Sequence, residues 1–317
     1  MKNLLRLCTL LLVAFSFPHV WAAQAPADTP AAAAHVARAT QAAGTEWTAT
    51  VDFVCKINPD RANRVDDPLI EPTRIFDNVF AIGRLGTVVY AVTTSAGIML
   101  IDSGYADQLE TVLLPGLQQA GLNPGDVRYV LLGHGHGDHF GGAAYFQQRG
   151  ARVVASAADW DLMAKAPASG PRPPTRDVVA VEGQPIVVGD VSVTPVAIPG
   201  HTPGSLGYIF PVRDGARTHT AGLFGGSILI PTKIPDEALQ QYVRSIAHFG
   251  DVARASGVDV ELQNHPLYDG FEQKLQRLKT RATGGPHPFV VGRDGYQRFL
   301  TVMSECTLAQ MERRGGR

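Results

Sequence analysis

Short runs of β-branched and other apolar residues, separated by glycines and polar turns, dominate the middle of the chain. Such runs predict β-strands. They fall at residues 74–83, 88–94, 97–102, 127–133, 151–156, 178–181, 185–189, 191–198, 206–211 and 219–230. Longer segments place apolar residues at helical spacing and predict helices. These helical segments are residues 105–121, 141–150, 236–249, 269–282 and 293–313.

The strands form two groups, and each group is followed by helices. This order predicts an α/β (α+β) protein in which two sheets pack face to face with helices outside. The chain has 317 residues, of which 45% are hydrophobic, so it can bury a sizeable core. Its net charge is −1, and no basic stripe stands out. A nucleic acid is therefore not an expected partner.

The first 22 residues resemble a signal peptide. Lys2 and Arg6 precede an apolar stretch, and the residues around Ala22 form a small-residue cleavage site. A membrane anchor is the alternative, but the apolar run is too short to span a bilayer comfortably. We expect a periplasmic or secreted protein with no stable membrane association after cleavage.

Two further regions follow the predicted signal. Residues 23–45 are rich in alanine and proline and predict a tether or a loose helix outside the core. Residues 46–317 contain the predicted sheets and helices and form the predicted catalytic domain. The sequence gives no oligomeric state.

Two cysteines remain after the predicted cleavage, Cys55 and Cys306. In an oxidising compartment such a pair is a candidate disulfide, which would join the segment before the first sheet to the C-terminal helix. Two buried free thiols are the alternative.

The stretch "HGHGDH" crowds three histidines and one aspartate into six positions, directly after a predicted strand. Imidazole nitrogens and carboxylate oxygens both suit zinc, and the intervening glycines leave room in a crowded site. His134, His136, Asp138 and His139 are more ligands than one catalytic zinc ion takes. The cluster therefore predicts two adjacent metal ions with further ligands from elsewhere.

Two other histidines can supply those ligands. His201 lies in the turn "PGHTPGS" and His265 in "NHP", and each follows a predicted strand. A single histidine in a turn is usually a hydrogen-bonding residue, but beside an existing metal cluster these two become candidate ligands.

The motifs "HGHGDH", "PGHTPGS" and "NHP", in this order, resemble the metallo-β-lactamase superfamily from about residue 74 to the end of the chain. The resemblance implies a four-layered αββα sandwich and two zinc ions per chain. It assigns His134, His136 and His201 to the first ion, and Asp138, His139 and His265 to the second.

Within the superfamily, the chain most resembles the third subclass of zinc β-lactamases, which is rich in histidine and bears a serine. Many other branches have a metal-bridging aspartate where this chain has Gly226. Ser227 stands at the subclass's serine position and is a candidate substrate contact. The subclass's second serine, however, is replaced by Leu229.

The resemblance implies a zinc-dependent hydrolase that opens the amide of a β-lactam ring with a metal-bound hydroxide. Asp138 would also orient this nucleophile and so act as a catalytic residue. Asp102, at the end of a predicted strand, would hold an imidazole from behind, although a simple turn role is the alternative. Two other functions stay open. One is an exported dizinc hydrolase of lactones, esters or other amides, and the other is a zinc-binding protein without turnover.

Overall fold

The computed structural model describes residues 28–55, 67–229 and 234–315. The predicted signal peptide lies outside the described residues. No helix of the described chain is long and apolar enough to cross a membrane.

Twelve strands are present in the described chain, and they form two sheets. They are β1 (Leu69–Phe76), β2 (Val79–Arg84), β3 (Thr87–Thr94), β4 (Gly97–Ile101), β5 (Val127–Leu131), β6 (Arg152–Ala155), β7 (Val178–Val179), β8 (Ile186–Val188), β9 (Val191–Ala197), β10 (Leu206–Asp214), β11 (Arg217–Leu223) and β12 (Val260–Leu262).

The α-helices vary from single turns to 24 residues. They are α1 (Pro30–Ala43), α2 (Thr48–Thr50), α3 (Leu114–Gln119), α4 (Gly137–Phe140), α5 (Ala143–Gln147), α6 (Ala157–Met163), α7 (Asp236–Ala255), α8 (Phe271–Lys279) and α9 (Gly292–Gly315). Short 3-10 or π-helical turns occupy Val51–Cys55, Ala106–Gln108, Leu109–Leu113 and Pro124–Asp126.

The first sheet has seven strands in the order β1 to β7, and the second has five in the order β12-β11-β10-β9-β8. Strands β4 to β7 are parallel to one another, and β11 is parallel to β12. Polar residues that follow neighbouring parallel strands are thereby placed at one edge of each sheet.

Three apolar clusters define four layers. The central cluster lies between the sheets and includes Tyr90 of the first and Phe210 of the second. A second cluster packs α7 and α9 on the outer face of the second sheet, and a third packs α3, α5 and α6 on the outer face of the first. The fold is therefore the expected αββα sandwich.

Residues 23–45 are predicted to be a tether or a loose helix outside the core, and the described part, residues 28–45, differs in being packed into the structure. Residues Pro30–Ala43 form a regular helix, which Thr29 caps by accepting from the amide of Ala32. Ala32, Ala39 and Ala43 are buried, and the helix packs along α9. Small alanine side chains let the two helices approach closely, so this composition, interpreted as a linker, instead suits helix packing.

A second difference lies at residues 74–83, where the pattern predicts one strand. The chain makes a tight turn at Asp77 and Asn78, and β1 pairs antiparallel with β2. Asn78 is fully buried and bonds the backbone of β10, donating to the carbonyl of Pro211 and accepting from the amide of Arg213. Because apolar residues lie on both sides of the turn, the hydrophobic pattern predicts one continuous strand and does not indicate the turn.

Cys55 and Cys306 form a disulfide, with their Cα atoms 4.4 Å apart. Both residues are fully buried among apolar side chains of α1 and α9. The bond joins segments 251 residues apart in sequence.

We expect the double variant Cys55→Ser/Cys306→Ser to lose about 2–5 kcal/mol of unfolding free energy, because the bond restricts the unfolded chain over a long loop. Urea unfolding measures the loss. Reduction of the unmutated protein should cause a similar loss and should leave the variant unchanged. Equal stability of the two proteins would contradict the expectation.

His287 gives a second prediction, on the pH dependence of stability. Its ring stacks on Phe76 with centroids 4.0 Å apart, and its Nε2–H donates to the carbonyl of Ile75 at 2.8 Å. Burial, with Arg281 nearby, lowers its pKa from 6.5 to about 4. Because the unfolded chain takes up this proton first, stability present above pH 6.5 should be lost as the pH falls towards 4.

In His287→Phe this part of the decline should disappear, since phenylalanine can stack but cannot titrate. Urea unfolding at intervals between pH 7 and 4 tests it, with His248→Phe as the control at an exposed position. Parallel pH profiles for His287→Phe and the unmutated protein would refute it.

Candidate metal centre

The six predicted ligands all follow the carboxyl ends of strands. Four of them follow β5: His134, His136, Asp138 and His139. The last two belong to the short helix α4, which consists of residues 137–140. His201 follows β9, and His265 follows β12. Backbone bonds hold the two sheets together at this edge: the amide of Leu206 donates to the carbonyl of Gly133, and that of Val88 to Asn264.

The first trio consists of His134, His136 and His201. The Nε2 atom of His201 lies 3.0 Å from Nε2 of His134 and 3.1 Å from Nδ1 of His136. His134 is buried, whereas His136 is exposed. Three ring nitrogens therefore converge on one point that is open to solvent on one side.

The second trio consists of Asp138, His139 and His265. The Nε2 atoms of the two histidines are 3.0 Å apart. Asp138 Oδ2 lies 3.3 Å from the first of them and 3.5 Å from the second. The trios adjoin each other, because ligand atoms of His134, Asp138 and His139 lie within 4.8 Å of one another.

These distances fit metal ions. In a tetrahedral zinc site with Zn–N bonds of 2.0–2.1 Å, ligand nitrogens are about 3.3 Å apart. The distances given above for both trios lie within a few tenths of an ångström of that spacing. Three protein ligands per ion leave a position open, which is typical of catalytic rather than structural sites.

The protonation states of four of the histidines also suit a metal. Burial is the main cause that lowers the pKa of His134, His136 and His265, and it lowers the pKa of His201 to about 3. These imidazoles are therefore neutral near pH 7, with a lone pair available for coordination.

His139 behaves in the opposite way. Burial disfavours its charge, but the carboxylates of Asp138 and Asp102 outweigh burial and raise its pKa to about 10. Burial would also raise the pKa of Asp138, yet His139 beside it holds that pKa well below its usual range. A metal in the second trio must therefore displace the proton on His139.

Three of the rings are oriented from behind by a polar group. Asp102 Oδ2 accepts from Nδ1 of His139 at 2.7 Å. Nδ1 of His134 donates to the carbonyl of Gly225 at 2.6 Å, and Nδ1 of His265 donates to that of Gly86 at 2.6 Å. These bonds direct Nε2 of all three rings towards the centre.

Asp102 is more than a turn residue. It is fully buried and has a left-handed φ of 64°, a strained conformation for a residue with a Cβ. Its Oδ1 accepts from the amide of Gly133 at 2.7 Å, and its Oδ2 accepts from Asn264 as well as from His139. The carboxylate thus connects the ends of β4, β5 and β12 beneath the second trio.

Ser227 differs from its predicted role as a substrate contact. It is 1% exposed, and its hydroxyl oxygen is buried. β11 ends at Leu223, and Gly226, directly before Ser227, packs against His201. Leu229 is partly buried against the outer apolar cluster.

Gly226 packs directly against the first trio. A Cβ at this position would lie 2.9 Å from Cβ of His201 and 3.0 Å from Oγ of Ser205. A bridging carboxylate cannot occupy this position unless the turn that carries His201 moves.

Three further residues lie at the centre beyond the predicted ligands. Asn264 is fully buried and donates to Asp102 and to the carbonyl of Gly225. Asp159 is fully buried beside the first trio. Tyr105 is 41% exposed and lies at the rim, where burial and the nearby Asp138 raise its pKa. Asn264 adjoins a predicted ligand, which is a usable signal, whereas Asp159 adjoins none.

Comparison with known proteins identifies this arrangement. Residues 82–218 match the family model described as the metallo-beta-lactamase superfamily. The model covers less than half of the chain, and over this segment the chain resembles the superfamily. Its fold and its histidine and aspartate cluster are those of a metallo-hydrolase that holds divalent metal.

Solved structures of metallo-β-lactamases are similar over most of the chain. BJP-1, a subclass B3 metallo-β-lactamase of Bradyrhizobium japonicum, is 25% identical with a TM-score of 0.66, covering 77% of this chain and 93% of that one. The Rm3 metallo-β-lactamase is 27% identical with a TM-score of 0.65, covering 78% and 96%. FEZ-1 from Legionella gormanii, at 21% identity and a TM-score of 0.64 over 74% and 93%, shares the fold.

Curated relatives match over a shorter segment. A hydroxyacylglutathione hydrolase of Acidiphilium cryptum is 38% identical over 87 residues, 27% of this chain and 32% of that protein. A hydroxyacylglutathione hydrolase of Cereibacter sphaeroides is 35% identical over 82 residues, which are 26% of this chain and 28% of that protein. The match spans about a third of these relatives' length.

We expect Asp102→Asn to weaken metal binding by about 10–100-fold, because the amide removes the carboxylate that orients His139. Titration with Zn²⁺ against a chromophoric chelator measures the affinity. Asp251→Asn, at a site with a 79% exposed side chain, serves as the control and should bind like the unmutated protein. An unchanged affinity in Asp102→Asn would show that His139 needs no such support.

Proposed function

We propose that the protein is a zinc-dependent hydrolase that binds two zinc ions and opens the amide of β-lactam rings. The observation that carries this proposal is the ligand set. The two trios lie side by side. Gly226 packs against His201 at the position where many other branches of the superfamily have a bridging aspartate. The likeness to subclass B3 enzymes over 93% of BJP-1 supports it.

Bound zinc would supply a nucleophilic hydroxide at neutral pH and polarise the substrate's carbonyl group. The protein's own residues would position the reaction. Asp138, which would help to hold the second ion, can also accept a hydrogen bond from the attacking nucleophile and fix its direction. The imidazoles of the first trio are neutral, so they would leave the positive charge of a bound ion uncompensated. The exposed face at His136 and Tyr105 lets a small-molecule substrate approach.

Substrate carboxylate recognition cannot come from Ser227, whose hydroxyl is enclosed. We propose that the exposed phenol of Tyr105, at the rim of the centre, contacts the substrate carboxylate in place of Ser227. We therefore expect a substrate profile different from that of enzymes that use serines at these positions.

Hydrolysis of hydroxyacylglutathione thioesters is the second candidate function. It is favoured by the 38% identity to a hydroxyacylglutathione hydrolase over 87 residues. The same chemistry would also serve lactones, esters or other amides. Zinc binding without turnover is the non-enzymatic alternative, and the open position at each trio argues against it.

We also propose that the protein is exported. The buried disulfide between Cys55 and Cys306 supports this location, because such bonds persist in oxidising compartments.

Initial hydrolysis rates on a panel of substrates test the proposal. The panel contains a chromogenic cephalosporin, a penicillin, a carbapenem, a lactone and a hydroxyacylglutathione thioester, each with zinc-loaded and chelator-treated protein. Zinc-dependent turnover should be fastest on the β-lactams. His136→Ala should reduce it by more than about 100-fold, because it removes a ligand and not merely an outer partner, whereas the exposed His248→Ala should not.

The alternatives give different results on the same panel. Faster thioester turnover would replace the β-lactam proposal with the second candidate, and faster lactone turnover would indicate a lactonase. A chain that carries two zinc ions and hydrolyses none of the panel would contradict both enzymatic proposals.

A further inference from the structure

Asp159 is a buried carboxylate beside the first trio whose hydrogen bonds go to the backbone and to a hydroxyl group and not to the ligand side chains. It belongs to the first turn of α6 and is fully buried. Ser156 caps this helix by accepting from the amide of Asp159 at 3.1 Å. The cap fixes where the side chain starts, so its carboxylate has a defined position.

All the hydrogen bonds of this carboxylate go to the two segments that carry the first trio. Its Oδ2 accepts from the amide of Gly135 at 2.7 Å and from Oγ1 of Thr202 at 2.7 Å. Its Oδ1 accepts from the amide of Gly204 at 2.9 Å. Gly135 lies between His134 and His136, and Thr202 directly follows His201.

The close packing around these bonds leaves little freedom. A Cβ at Gly204 would lie 1.9 Å from Oγ of Ser156 and 2.7 Å from the amide nitrogen of Asp159. Thr202 Oγ1 also lies 2.7 Å from Oγ of Ser205. Since Thr202 gives its only hydroxyl proton to Asp159, Ser205 donates in that pair. The turn around His201 is therefore fixed by a chain of hydrogen bonds that ends on Asp159.

We propose that Asp159 is the positioning residue of the first metal trio. One of the segments that it holds carries His134 and His136, and the other is the turn that carries His201. By accepting hydrogen bonds from backbone amides and a hydroxyl group of both segments, Asp159 sets the distance between them. Asp102 serves the second trio by touching His139 directly, so each trio has its own buried aspartate. The inference rests on the proposed two-metal centre but not on any substrate.

Loss of the carboxylate should therefore weaken one metal site and leave the other unchanged. In Asp159→Asn, one oxygen becomes an amide group that points its hydrogens at existing donors. The segments of the first trio should separate, and its metal affinity should fall by about 10–100-fold, the effect usual for outer partners of metal ligands.

Metal titrations in two backgrounds isolate the sites. His265→Ala disables the second trio, so one Zn²⁺ ion reports on the first, and His201→Ala does the reverse. Competition with a chromophoric chelator should show the 10–100-fold loss for Asp159→Asn in the His265→Ala background. In the His201→Ala background the same change should leave the affinity unaltered, whereas Asp102→Asn should weaken it.

Asp161→Asn is the matched control. Asp161 lies two residues further along the same helix with a side chain 64% exposed, and it pairs with Arg176 at 2.7 Å. Its replacement should alter neither site. Thr202→Val removes one donor to Asp159 and should weaken the first site to a smaller extent, and Thr202→Ser should restore it.

An Asp159→Asn protein with unchanged affinity in the His265→Ala background would overturn the proposal. Equal weakening in both backgrounds would also overturn it, because that result indicates a general packing role. If Asp159→Asn does not fold, as judged by circular dichroism, the contrast between Thr202→Val and Thr202→Ser decides the matter. A protein that shows the predicted metal affinities but hydrolyses no β-lactam keeps this inference and loses the proposed function.

Discussion

Burial of fully hydrogen-bonded carboxylates at one edge of two facing sheets is the constraint on which the rest of the centre depends. An isolated buried carboxylate is costly, so it persists only where donors converge on it. Asp102 gathers donors from the ends of β5 and β12 and from His139. Asp159 gathers them from the segments that carry the other histidines. The ligands converge because the segments beneath them cannot separate without exposing these groups.

The convergence of the candidate ligands could be predicted from sequence because most of the information for it is local. Four of them lie within six residues, and the other two occupy strand-end turns of distinctive composition. The anchors are a different case. Asp159 lies 24 residues from Gly135 and 43 from Thr202, and nothing in its own neighbourhood marks it as more than an ordinary helical aspartate. Such long-range pairings become visible only once the strands are placed side by side.

The predicted layers agree with the structure, since alternating apolar runs and helical spacing report directly on burial. The errors arise where one composition suits two environments. Alanine and proline at residues 23–45 are compatible with a flexible linker, but alanines also allow the close packing of α1 on α9. Ser227 shows the same limit at a single residue. Its identity matches a substrate-contacting serine, whereas its burial depends on how the residues after β11 pack against the turn of His201.

The charge of the centre connects the ligand set to the chemistry. Two zinc ions would bring four positive charges, and among the described ligands only Asp138 is a carboxylate. Position 226 holds a glycine packed against His201 and supplies no bridging carboxylate, so most of that positive charge would remain available. A more positive centre stabilises anions that develop during reaction, including a departing amide nitrogen. Amide opening in a strained ring requires such stabilisation more than the cleavage of a thioester, whose sulfur leaves readily as an anion. Under the proposed two-zinc function, the glycine at position 226 therefore favours the harder of the two leaving groups.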